Sequence, residues 1–174
     1  MLIDRTKLTS LLETIDEKLA KRITVVAVGG TALTLLKVKT STIDIDFSFP
    51  NRDFDEFNKA LALLPKLGYR IDCFSDGEIF GIILPDDYLR KSVPIKKFKR
   101  IELRALHPID IVVTKIGRLD QRDKQDIQDT VRYFGLSESK LADRASQLVL
   151  AVSEEQYNAN LSQLLNAIFH PKRN

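Results

Sequence analysis

Val25-Val26-Ala27-Val28-Gly29-Gly30-Thr31-Ala32-Leu33 leads on to Thr42-Ile43-Asp44-Ile45-Asp46-Phe47, and these two segments decide the fold. They read as a buried strand, a glycine turn, a short helix and a second strand. Successive strand side chains point to opposite faces, which predicts Asp44 and Asp46 on one face and Ile43, Ile45 and Phe47 on the other. Two adjacent carboxylates repel, and a divalent cation is the simplest reason to hold them together. Oxygen ligands on a rigid strand suit Mg²⁺, which one or two carboxylates hold together with substrate phosphates. The Gly29-Gly30 turn supplies the complementary half: backbone N–H groups opening a helix attract anions, and the missing side chains allow a phosphate to approach.

Outward from this centre, Leu8, Leu11, Leu12, Ile15 and Leu19 predict an amphipathic helix over residues 6–21. Strands are expected at 23–28 and 42–48, with a helix at 31–37 between them. Residues 53–64 carry Phe54, Phe57, Leu61 and Leu64 at helical spacing, with Asn51 or Asp53 as the cap. Strand-like 69–74 and 79–84 meet through Ser75-Asp76-Gly77-Glu78, a hairpin signal because Asp-Gly tolerates positive φ. Alternation sets Asp72 apart from Ile71 and Cys73. It is either a third carboxylate for the metal, since two-metal transfer draws ligands from more than one element, or a solvated residue on a strand face. Asp86-Asp87 reads as a turn. One more strand is expected at 100–105. Pro108 suits a first helical turn, Ile109, Val112, Val113 and Ile116 form a buried stripe, and Lys115 falls off it. A helix at 122–134 buries Ile127, Val131 and Phe134, with Asp126 four residues from Arg122. Gly135 caps it, Ser137 opens the next, with Leu141, Ala145, Leu148 and Val152 inward, and 154–169 is the last.

With 174 residues, 44% hydrophobic and 29% charged, the chain is expected to form one domain, a core over 1–135 with a helical extension, 136–174, packed on it. Cys73 is the lone cysteine, which excludes an intrachain disulfide and a cysteine-based zinc site. Neither a signal-peptide core nor a membrane-length apolar run is present, and a cytoplasmic protein without membrane contact is expected. A net charge of +3 is mild, yet the cations cluster at Lys21-Arg22, Arg90-Lys91, Lys96-Lys97-Phe98-Lys99-Arg100 and Lys172-Arg173. Clusters like these can contact phosphates, but a solvated strand edge or helix end is the commoner explanation. Neither His107 nor His170 makes a metal site alone. The sequences of a P-loop, of G-x-G-x-x-G, of a Gly-x-Ser-x-Gly elbow and of His-Glu-x-x-His are all absent.

The double glycine after a strand and the later Asp-x-Asp resemble the nucleotidyltransferases of the polymerase beta superfamily. His107-Pro108-Ile109-Asp110-Ile111-Val112-Val113-Thr114-Lys115-Ile116, followed by Arg122-Asp123-Lys124-Gln125-Asp126-Ile127-Gln128-Asp129, resembles the AbiEii-type toxin nucleotidyltransferases and their uncharacterised relatives. The resemblance covers roughly residues 23 to 135. Many of those relatives have an arginine where Thr40 stands, after Lys37 and Lys39, and a serine where Gly30 stands, for which Thr31 offers a hydroxyl.

The resemblance implies an α/β (α+β) fold, a mixed sheet flanked by helices with a C-terminal helical segment. It also implies transfer of a nucleoside monophosphate from an NTP to an acceptor hydroxyl. Asp44, Asp46 and Asp72 would hold Mg²⁺, Gly29, Gly30 and Thr31 would cradle the phosphates, and Lys115 would neutralise them. Asp126 would act as a base or orient Lys115. An RNA acceptor, such as the tRNA acceptor end, and an antitoxin partner follow from the toxin likeness. A small-molecule acceptor, or a binding module without turnover, fits the same core.

Overall fold

The computed structural model describes residues 2–65 and 67–171, so the Lys172-Arg173 cluster lies outside the described residues. In chain order the elements are β1 (Ile3–Asp4), α1 (Arg5–Asp16), β2 (Ile23–Ala27), α2 (Gly29–Leu35), β3 (Ser41–Thr42), β4 (Ile45–Phe49) and α3 (Asn51–Ala62). There follow β5 (Ile71–Ser75), β6 (Glu78–Ile79), β7 (Ile82–Ile83), α4 (Tyr88–Lys91), β8 (Val93–Lys97), β9 (Ile101–Ala105) and α5 (Pro108–Ile116). The chain ends in α6 (Gln121–Phe134), α7 (Glu138–Ala145), β10 (Val149–Leu150) and α8 (Glu154–Phe169).

A mixed five-stranded sheet in the order β5-β4-β2-β9-β8 forms the centre. β2 runs antiparallel to β4 and parallel to β9, and β4 runs parallel to β5. Apolar alternation on β4 sends Phe47 and Phe49 against Phe57 of α3, at ring-centroid distances of 5.7 and 4.4 Å. Asp46 and Ser48 consequently face the other side, where α2 packs. Helix α5 is buried almost all round, because α2, α6, α7 and α8 all pack on it.

Several expectations shift. The first helix stops at Asp16, whose carboxylate accepts both Arg100 N–H and Ile101 N–H at 2.7 Å and ties the helix end to the β8–β9 turn. Leu19 is buried beyond it in non-helical chain. The second expected strand divides: Ser41–Thr42 pairs with β1, and Asp44 lies in the bend before β4. Asp76 and Gly77 do adopt positive φ, but β5 does not fold back there; the hairpin is β6–β7, turning at Phe80-Gly81, both also at positive φ. Helix α3 is preceded by Pro50, and neither Asn51 nor Asp53 caps it. Asp53 instead accepts Thr24 N–H at 3.0 Å, pinning α3 to β2. Strand β8 was not expected. Helix α7 ends at Ala145, short of Leu148, and β10 pairs with β7, so the C-terminal segment supplies a strand as well as helices.

Candidate active site

A cleft of about 480 Å³ opens beyond the end of β2, lined by Asp44, Asp46, Asp72, Gly30, Lys39, Lys115, Arg118 and Asp126 among others. Its acidic wall comes from β4 and β5. Their parallel register puts Asp46 directly beside Asp72, and Asp44 contributes from the bend below. Asp46 is 8% exposed. Burial first, then the charges of Asp72 and Asp44, push its carboxyl from 3.8 up to about 6 against the opposing pull of Lys115 and Arg118. Asp72 differs: Arg70 Nε donates to it at 2.7 Å.

The glycines have separate tasks. Gly29 is at φ +54, and a Cβ there would sit 3.1 Å from Asp46 Oδ2, so its missing side chain makes room for the buried carboxylate. Gly30 lines the cleft itself, and a Cβ there would lie 2.7 Å from Thr42 Oγ1. Thr31, expected at the phosphates, is fully buried. Its hydroxyl accepts Asp46 N–H at 3.0 Å and lies 3.3 Å from the Asp44 carbonyl it donates to. It thus holds the two aspartates in place instead of meeting a ligand.

The basic wall comes from α5 and α6. Lys115, expected to be free, is 4% exposed, with Nζ 2.7 Å from Asp123 and 2.9 Å from Asp126. Asp126 also pairs with Lys39 at 2.7 Å. Two lysines hold this carboxylate, which places Asp126 where it orients Lys115. Asp123, named in the sequence only as a neighbour, anchors the network. Asp120 caps α6 by accepting Asp123 N–H at 2.8 Å, and Arg118 Nε donates to the Asp123 carboxylate at 2.9 Å. Burial raises the Asp123 carboxyl, but the hydrogen bonds from Arg118 and Lys115 outweigh it and hold it below the usual carboxylate range. Arg118 also stacks on Phe80, 4.6 Å from the ring centroid. Arg118 and Phe80 carried no sequence signal, because nothing in their spacing relates them to the aspartates; Lys39 stood out only as a cation beside Thr40, where relatives carry an arginine.

Among the described residues, no three His, Cys, Asp or Glu side chains close into a metal cluster of their own. The expected three-carboxylate set is therefore not a preformed cage, and Arg70 holds one of its members. The donor chemistry still fits Mg²⁺: Asp44 and the buried, cation-deficient Asp46 offer hard oxygens, and Mg²⁺ takes its remaining ligands from water and substrate phosphates.

No described helix is long and apolar enough to cross a membrane. No curated protein matches the chain. Among solved structures, that of ANT(2")-Ia in complex with adenylyl-2"-tobramycin has a similar fold. Its TM-score is 0.53 at 15% identity, over 90% of this chain and 98% of that one. Residues 6–173, nearly the whole chain, match the family described as nucleotidyltransferase of unknown function (DUF6036), and with the acidic and basic walls in place the protein is an enzyme of that nucleotidyltransferase family.

Proposed function

We propose that the protein transfers a nucleoside monophosphate from an NTP to an acceptor hydroxyl with the help of Mg²⁺, in the cleft between β4–β5 and α5–α6. The observation that carries this reading is the buried Asp46 beside Asp72 and Asp44, with its carboxyl pushed up to about 6, opposite a wall of cations. That pairing matches a triphosphate held between a divalent cation and positive side chains. Asp44 and Asp46 would hold the ion, with Asp72 completing the acidic wall. When bound, Mg²⁺ supplies charge neutralisation on the triphosphate and acidifies a nearby hydroxyl.

The chain's own residues supply positioning and electrostatics, which dominate phosphoryl-type transfer. Gly30 lines the cleft at the start of α2, where phosphates would approach its backbone. Lys115, aimed by Asp123 and Asp126, sets a buried positive charge against them, and Lys39 and Arg118 reinforce it. Arg70, largely exposed, holds Asp72 on the acidic wall.

The AbiEii-type likeness supports an RNA acceptor, with an antitoxin as partner. A small-molecule acceptor is the second reading, favoured by a shared fold with a protein solved with adenylyl-2"-tobramycin. A transfer assay decides: each labelled NTP with Mg²⁺ is offered total RNA or a panel of hydroxylated small molecules, using wild type and Asp44→Asn/Asp46→Asn. Label in RNA with wild type alone supports the first acceptor, label in a small molecule the second. No label in either, with no Mg²⁺-dependent nucleotide binding, leaves a binding module and overturns the enzymatic reading.

A further inference from the structure

The other concentration of charge lies at the opposite end of the sheet. β2 and β9 run parallel, and where both begin, Lys21, Arg22, Arg52, Lys97, Lys99 and Arg100 line an open cavity of about 500 Å³. The acidic cleft lies past the far end of β2, at least about 13 Å along the strand. Two carboxylates share the cavity, and both are engaged. Asp53 is buried and accepts Thr24 N–H, with Lys21 and Arg52 each 3.9 Å away. Glu102 pairs with Arg104 at 2.8 Å. Nearby Glu56 accepts Ala20 N–H, and Asp16 is taken up by the two N–H groups of the β8–β9 turn. That turn is therefore fixed in its backbone while Lys97 and Lys99 project into solvent. Among the described residues, Arg22, Lys97, Lys99 and Arg100 meet no carboxylate in an ion pair. Four like charges gathered on one wall are mutually repulsive, and an anion relieves them.

We propose that this cavity binds the phosphodiester backbone of a nucleic-acid strand, at a site separate from the acidic cleft. A lone phosphate would call for a few buried donors in fixed geometry. Here the cations are long, largely exposed and drawn from three segments, an arrangement that neutralises successive phosphates without reading sequence. Phe98 lines the same cavity, with Lys96 Nζ 4.5 Å from its ring centroid, which adds a further cation at the rim.

The test uses the full chain in EDTA, without nucleotide. Fluorescence anisotropy follows a labelled single strand of about 20 nucleotides, as RNA and as DNA, between about 50 and 200 mM salt. Wild type should bind with an affinity that falls linearly in log salt. Arg22→Ala/Lys97→Ala/Lys99→Ala should bind about 10-fold or more weakly at the lower salt, with a slope shallower by about 2, at roughly 0.7 per lost phosphate contact. Lys7→Ala/Lys59→Ala/Lys140→Ala removes the same charge elsewhere and should bind nearly as wild type does. Equal weakening in both triple variants, or wild type binding anionic lipid vesicles but no strand, would overturn the proposal. Because the readout needs neither metal nor turnover, Asp44→Asn/Asp46→Asn should bind the strand as wild type does, whatever the fate of the transferase reading.

Discussion

Asp46 and Asp72 stand side by side in register on the adjacent parallel strands β4 and β5, with the Asp46 carboxyl raised by burial and by its neighbours. Without a cation this juxtaposition destabilises the fold. Asp46→Asn should therefore stabilise the metal-free protein, by about 1 to 3 kcal/mol, since each unit of pKa shift corresponds to about 1.4 kcal/mol. Mg²⁺ with nucleotide should reverse the order, stabilising wild type by about 2.7 kcal/mol at 100 times the dissociation constant and the variant hardly at all. Urea unfolding with and without ligand checks both arms; a metal-free variant less stable than wild type would contradict them.

Lys115 is buried between Asp123 and Asp126. Lys115→Met leaves two buried carboxylates short of a partner, although Arg118 keeps two hydrogen bonds to Asp123 and Lys39 keeps its pair with Asp126. The expected cost is about 3 kcal/mol, at the lower end of what breaking a buried pair entails. Lys115→Arg should not restore nucleotide affinity, because a planar fork cannot replace a point charge between two carboxylates. Isothermal titration with NTP, on variants shown to be folded, reads this directly.

Gly30 admits no side chain because Thr42 Oγ1 occupies the space. Gly30→Ala should destabilise by about 1 to 3 kcal/mol, the range for overpacking. Thr42→Ala made in the same protein should recover much of that loss. A double-mutant cycle with no coupling would remove steric contact as the reason for glycine here.

His107 caps α5, its Nδ1 accepting Ile109 N–H at 3.2 Å. Burial, helped by Lys91 and Arg144 against Asp110, lowers its pKa from 6.5. The neutral ring is the native form, so its stabilisation is complete above the unfolded value of 6.5 and is lost as the pH falls below it and through the lower folded-state value. Unfolding midpoints should begin to drop as the pH falls below about 6.5 and continue dropping until the lower folded-state value is passed. His107→Asn keeps a capping oxygen and should flatten that part of the profile.

The centre of the site was legible in the sequence because it is local. A β-branched strand, two glycines and Asp44-x-Asp46 lie within about one supersecondary unit, so sequence nearness brings them to one place, although Asp44 sits in the bend before β4 and not on the strand that periodicity predicts. The partners across the cleft were harder. Lys115 reads as a surface residue on its own helix, and it is buried because four other helices close over α5, which no single-helix pattern contains. Thr31 reads as a phosphate donor until the sheet shows its hydroxyl spent on the β4 backbone. The hairpin was placed one turn early because Asp76-Gly77 has the right chemistry, while β5 finds a better partner in β4. Lys39 and Phe80 reach the cleft only through loop geometry.

The most direct test is calorimetric titration of ATP, GTP, CTP and UTP into wild type and Asp44→Asn/Asp46→Asn, with Mg²⁺ and with EDTA. At least one NTP should bind wild type only when Mg²⁺ is present, and the double variant should lose that metal-dependent component while remaining folded. Equal binding with and without Mg²⁺, or undiminished Mg²⁺-dependent binding in the double variant, would contradict the assignment of Asp44 and Asp46.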